Sequence, residues 1–222
     1  MNLLKRYVVK FSIIENLCKV LRRNVLNILN TGNNIYIMKS DGSISRDIIG
    51  KDNSIEVARG GIIKNLYIRI RGNNNQLRVG PRVQIGPGCS IWMEGNNISI
   101  EIQDDTTITR DCQLCAQEDN TKISIGKDCM LSNNIIIRTS DSHPYYDGIT
   151  GERLNEARNI IIGEHVWLAP NSKIMKGSVI GNGCIVGSDT STNRIYPVNS
   201  LIVGRPARIV RSDIRWTREK LF

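Results

Sequence analysis

The chain of 222 residues contains only two histidines, His143 and His165, and two phenylalanines; aromatic residues make up 5% of it. A zinc centre built on three histidines of one chain therefore lacks a ligand. No run approaches the ~18 consecutive apolar residues of a membrane span. Lys10, Glu15 and Lys19 interrupt the apolar N-terminal stretch, so it does not read as a secretory signal, and a cytoplasmic location is expected. A basic binding face is also missing from the main body. The net charge is +9, but residues 1–30 carry +5 and residues 205–222 carry +4, while residues 31–204 balance 18 basic against 18 acidic side chains. No nucleic-acid partner is expected from such a body. The basic ends suit phosphate groups or an anionic membrane surface, or serve only solubility.

What is present is a repeat. From residue 162 the chain reads IGEHVW, LAPNSK, IMKGSV, IGNGCI, VGSDTS. Each block of six opens on an aliphatic residue: Ile162, Leu168, Ile174, Ile180, Val186. The fifth slot holds Val166, Ser172, Ser178, Cys184 and Thr190. Looser copies run from residue 85 to 140, and residues 50–107 alternate short β-type runs with Asn/Gly turns. A period of six fits neither a helix nor a hairpin sheet. It predicts a solenoid of short strands, with the aliphatic residue inward, a small residue at each corner and three blocks to an eighteen-residue coil. Cys89, Cys112, Cys129 and Cys184 fall in the fifth slot and read as small buried residues. The CQLC at 112–115 has no second ligand pair, so no metal site is expected.

Residues 1–30 differ from the rest. Leu3, Leu4, Tyr7, Val8, Phe11, Ile14, Leu17, Leu21, Val25 and Ile28 recur at spacings of three and four, which predicts a basic amphipathic helix over residues 3–29. It would cap the open end of the solenoid, or touch a membrane surface as a peripheral contact. The expected organisation is this helix, a β-helix over 31–204 with a loop at 144–161, and a basic C-terminal segment over 205–222.

The loop is expected where the repeat breaks. Anchors at 125, 131 and 137 step by six, and the next step lands on His143, followed by Pro144. Proline biases its predecessor to an extended conformation and donates no ladder hydrogen bond. An imidazole at the base of such a loop can accept a proton at neutral pH.

The repeat, the stretch SDSHPYYDGITGERLN and the series IIIGEHVWLAPNSKIMKG, IGNGCIVGS and VGRPARIVR resemble the hexapeptide-repeat acyltransferases, and most of all the sugar O-acetyltransferases of bacterial capsule, O-antigen and exopolysaccharide loci. The likeness covers roughly residues 80–216, including the closing IRW. It implies a mainly β protein, a left-handed parallel β-helix, that works as a homotrimer and moves an acetyl group from acetyl-CoA to a carbohydrate acceptor. By position it implies His143 as the catalytic base and Trp167 beside the acyl-transfer centre. It implies Ala169, Gly187 and Ser188 along the CoA arm, and Arg208 near the CoA phosphates. The family's oxyanion asparagine has no counterpart here; Gln113 or a backbone N–H takes that role. Asp141 or a backbone carbonyl orients the imidazole, and Asp147 is a weaker partner for the site. Tyr145 and Tyr146 stack on a sugar ring or pack the loop. Trp167 is otherwise a surface or trimer-contact aromatic, and His165 reads as an exposed turn residue. N-acetylation of an amino-sugar nucleotide needs the same base and is the second enzymatic reading. A β-helix used only as a scaffold would need neither the histidine loop nor Trp167.

Overall fold

The computed structural model describes residues 32–221, so the helix expected over residues 3–29 lies outside the described residues. Within them every regular element is a β-strand, 22 in all. The strands form three ladders along one solenoid. The first face is an eight-stranded parallel sheet running from Ile35–Met38 through Ser99–Ile102 and Ile160–Ile162 to Ile195–Tyr196. The second face stacks Gln84–Ile85, Thr107–Arg110, Met130–Asn133, Trp167–Leu168, Ile185–Val186 and Leu201–Val203. The third stacks Ser90–Glu94, Gln113–Gln117, Ile136–Arg138, Lys173–Met175 and Ser191–Thr192. The long strand Ile62–Arg71 joins these last two, pairing with Gln84–Ile85 at its start and with Ser90–Glu94 at its end.

The six-residue period has a direct structural meaning. Ile162, Leu168, Ile174, Ile180 and Val186 all point inward and are buried. The fifth-slot residues Val166, Ser172, Ser178, Cys184 and Thr190 are each 0% exposed. The corner is too tight for a large side chain, and a buried cysteine serves there as a small apolar residue. Rungs stack like on like. On the second face Ile63, Ile85, Ile108, Leu131, Leu168, Val186 and Ile202 form one buried column. Each such side chain contributes about 1.5–3 kcal/mol on burial.

Coil length departs from the expected eighteen residues in the first half. Leu77 pairs with Ile100 and Ile100 with Ile123, a step of 23 residues, whereas Ile162 pairs with Ile180, a step of 18. The extra residues sit at the corner between the third and first faces. There Gly95–Asn97 and Glu118–Asn120 make wider turns, with Asn97, Glu118 and Asn120 at positive φ. One coil later the same corner opens into the loop. The strand Ile136–Arg138 ends, the next begins at Ile160, and the residues between them form the loop. Thr139 and Ser140 are still buried at the corner, and exposure begins at Asp141. After the loop the corner closes to Lys176–Ser178, turned by Gly177 at φ +78.

The basic C-terminal segment is part of the sheet. Arg208–Arg211 pairs antiparallel with Leu201–Val203, and the chain then folds back along the corner that precedes the second face.

Candidate functional site

The loop is a short two-stranded arm. Tyr146 and Arg153 form an antiparallel bridge, Asp147 N–H donates to the Glu152 carbonyl at 2.8 Å, and Leu154 N–H to the Tyr145 carbonyl at 3.0 Å. Asp147 caps the tip by accepting from the N–H groups of Ile149 and Thr150 at 2.9 and 2.7 Å. Those two donors hold its carboxyl below the usual range. Asp147 is therefore a turn residue at the far end of the arm.

The base of the arm is fixed from two sides. Thr139 Oγ1 accepts from Gln117 N–H at 2.8 Å, and Arg158 N–H donates to the Thr139 carbonyl at 2.9 Å. Arg153 forks onto Glu118 with contacts of 2.7 and 2.8 Å, and Ser140 Oγ meets the same carboxylate at 2.5 Å. The Arg153 guanidinium, then Ser140, hold the Glu118 carboxyl low.

Asn155 is the staple at the centre. It is 2% exposed. Its Nδ2 donates to the His143 carbonyl at 2.8 Å and to Asp141 Oδ2 at 3.0 Å, while its Oδ1 accepts from Tyr145 N–H at 3.0 Å. Lys176 Nζ completes the knot, donating to Asp141 Oδ2 at 2.6 Å and to the Asn155 carbonyl at 3.0 Å. The Lys176 ammonium, with the Asn155 amide, draws the Asp141 carboxyl below its ordinary range. The backbone on both sides of His143 is thus immobilised while its side chain stays exposed. Asp141 does this through Lys176 and Asn155; among the described residues no hydrogen bond joins its carboxylate to the His143 ring.

The remaining candidates divide by face. Tyr145, 57% exposed, and Asp141 line a cleft of about 540 Å³ that also meets Lys176, Arg158, Arg205 and Pro206. The GRPAR corner therefore reaches the loop through Arg205; Arg208 stands exposed in the last strand and is not part of the cleft wall. Gln113 lies half-buried on the third face between Ser90 and Ile136, and Trp167 lies half-buried on the second face between Met130 and Ile185. Ala169 and Gly187 are successive rungs of the corner after the second face, with their N–H groups bonded to the Val186 and Ile202 carbonyls at 2.8 Å each, and Ser188 follows exposed. One chain does not bring His143, Gln113 and Trp167 onto one face.

His165 is a turn residue, as the repeat indicated, at φ 53 in a corner column with Arg82, Asp105 and Asp128, all at positive φ. It is more than exposed surface: its Nδ1 meets Asp128 Oδ2 at 2.6 Å and its Nε2 the Trp216 carbonyl at 3.1 Å. Sequence reasoning missed Asn155, Lys176 and the Arg153–Glu118 pair. The one available signal was the cluster of polar and charged residues in GERLNEAR on the return limb of the loop.

Comparison with known proteins agrees with this architecture. The family model described as bacterial transferase hexapeptide (six repeats) matches residues 159–193. A polysialic acid O-acetyltransferase from Neisseria meningitidis is 36% identical over 193 residues, spanning 86% of this chain and 87% of that enzyme. A second polysialic acid O-acetyltransferase, from Escherichia coli O1:K1, is 34% identical over 96 residues, 43% of this chain and 31% of that enzyme. Among solved structures, the polysialic acid O-acetyltransferase OatWY superposes with a TM-score of 0.77 at 35% identity, covering 85% of this chain and 89% of that one. With a repeat matched by residues, a fold matched by superposition and a relative matched along most of both lengths, the chain belongs to the hexapeptide-repeat acyltransferases and is an acyltransferase.

Proposed function

We propose that the protein transfers an acetyl group from acetyl-CoA to a hydroxyl of a bacterial surface polysaccharide, with a sialic-acid polymer as the acceptor class. The observation that carries this reading is the stapling of His143. A fixed backbone presents exposed His143 in the chain between Asp141 and Tyr145, two residues that line the cleft, and a general base for a bulky acceptor requires such a held, accessible imidazole. The acceptor class rests on the relative that matches 86% of the chain.

His143 takes the proton of the acceptor hydroxyl as that oxygen attacks the thioester carbonyl; the tetrahedral adduct then collapses with cleavage of the C–S bond, and CoA leaves as the thiol, taking the proton from the imidazolium. Such a base contributes typically ~10²–10⁴-fold. The acyl-CoA supplies an activated thioester, and acceptor and donor react while held together, without an acyl-enzyme. The corner at Ala169, Gly187 and Ser188 offers nearly bare backbone for an extended arm, and exposed Arg208 offers positive charge for its phosphates. Trp167 lies beside the reacting carbonyl, with Gln113 or a backbone N–H as the oxyanion donor. Tyr145 stands on the cleft wall where a sugar ring would stack.

This assignment needs more than one chain, because His143 and Trp167 stand on different faces of the solenoid. A cyclic homotrimer in which neighbouring solenoids face each other closes the site. The working location is the cytoplasm, with the basic N-terminal residues as a peripheral contact to the inner face of the membrane. No described helix is long and apolar enough to cross a membrane.

Incubation with acetyl-CoA and three acceptors tests the reading: a sialic-acid polymer, a neutral glycan and an amino-sugar nucleotide. O-acetyl ester on the sialic-acid polymer is expected. Amide formation on the amino sugar alone would overturn it.

A further inference from the structure

The C-terminal tail is tied down with more polar contacts than a solvated tail needs. After the strand Arg208–Arg211 the chain turns back, and residues 214–218 run as a strap along the corner that precedes the second face. Ile214 N–H donates to the Asn199 carbonyl at 3.0 Å. Three and four coils away, the Arg218 guanidinium reaches four acceptors: Asp128 Oδ1 at 2.6 Å, the Cys129 carbonyl at 2.7 Å, Thr107 Oγ1 at 3.1 Å and the Asp105 carbonyl at 3.3 Å. Between these ends sits Trp216, only 9% exposed.

Trp216 is gripped on one side and makes a contact on the other. Its ring stacks on the His165 imidazole with centroids 3.9 Å apart and planes 9° apart, and its Nε1 donates to the His165 carbonyl at 3.0 Å. The His165 ring is held in turn by Asp128 and by the Trp216 carbonyl. His165 and Arg218 together hold the Asp128 carboxyl below its usual range although burial pushes the other way. On its second side Trp216 meets Trp167, with ring centroids 6.0 Å apart at 47°, a tilted geometry that aromatic pairs favour.

Trp167 itself comes from a two-residue strand and points out of the sheet, where an unsupported indole samples several rotamers. We propose that the 214–218 strap positions the site: Trp216, clamped by His165 and Arg218, fixes the indole of Trp167. Trp216 is thus a positioning residue that acts through Trp167 and does not touch the reacting atoms. This rests on the reading above that Trp167 lies beside the reacting carbonyl. The tail then has two jobs in sequence order, a strand that ends the sheet and a strap that sets a side chain 49 positions earlier in the chain.

A double-mutant cycle on the full-length protein tests it, with kcat and KM measured for acetyl-CoA and acceptor in wild type, Trp216→Ala, Trp167→Ala and the double variant. Trp216→Ala should lower kcat by about 10–100-fold, the scale of a misplacement near 1 Å. The same change should slow the Trp167→Ala protein by less than about twofold, because the residue it acts through is gone. Trp216→Phe keeps a ring on His165 and should restore most of the turnover. If Trp216→Ala does not fold, Arg218→Gln loosens the strap while leaving both indoles, and the same comparison applies. Equal factors in both backgrounds, or unchanged turnover in Trp216→Ala, would overturn the strap alone. Wild-type turnover in Trp167→Ala would overturn the strap and the reading of Trp167 together.

Discussion

The side-chain amide of Asn155 donates to the backbone carbonyl of His143 at 2.8 Å, across a loop in which the two residues are twelve positions apart. The same amide accepts from Tyr145 N–H, so the chain before and after Pro144 is tied to one buried side chain. The position of the imidazole is therefore set by a residue outside the hexapeptide pattern.

Asn155→Ala removes the staple and takes the side-chain partner from the His143 carbonyl and the Tyr145 N–H. We expect kcat to fall by about 10–100-fold while KM for acetyl-CoA stays near wild type, because the change displaces the base and not the CoA corner. Steady-state kinetics check this. A KM effect without a kcat effect would place His143 outside the chemistry.

The Lys176–Asp141 pair gives the loop a pH dependence. The folded-state pKa of Asp141 is depressed, so its contribution is complete above the unfolded value of ~3.9 and is lost as pH falls through the lower folded value. Both side chains are partly exposed, so the pair is worth about 0.5–1 kcal/mol. Thermal unfolding of wild type and Lys176→Met should differ by about 2 °C at pH 6, and the difference should shrink as pH falls below ~4. A gap that does not change with pH would contradict the assignment.

The corner rule predicts opposite signs for two neighbouring residues. Ser172 is buried and its hydroxyl has no partner among the described residues. Ser172→Ala should be neutral or stabilising by about 1 kcal/mol, since it removes an unsatisfied buried group. Ile174→Ala, two positions on, should cost about 2–5 kcal/mol. Denaturant midpoints decide. A marked loss of stability in Ser172→Ala would mean that the hydroxyl has a partner.

Complementation tests the composite site. His143→Ala and Trp167→Ala proteins, each strongly impaired alone, should regain about a quarter of wild-type turnover when co-assembled, because mixed trimers contain sites with both side chains intact. Absence of recovery in verified mixed trimers would place both side chains of a site on one chain.

The solenoid was legible because each rung repeats the same constraint: Ile162 to Val186 face inward every six residues and the residues from Val166 to Thr190 fill equivalent corners. The break at His143 was legible for the same reason, since an imidazole and a proline stand where an aliphatic anchor was due. Coil length from residue 77 to 123 was not legible, because the wide turns at Gly95–Asn97 and Glu118–Asn120 add residues without adding an anchor. Asn155 and Lys176 carry no period, and Lys176 occupies a slot that solvent-facing residues also fill. The Trp216–His165 contact joins residues 51 positions apart, and only the register of the coils makes them neighbours.

The central claim is that His143 removes the acceptor proton. His143→Ala should keep the wild-type mass in solution, the wild-type unfolding midpoint and its acetyl-CoA affinity, yet lose acetyl transfer by a factor of about 10²–10⁴. A His143→Ala enzyme that folds, binds acetyl-CoA and still turns over at a near-normal rate would contradict it.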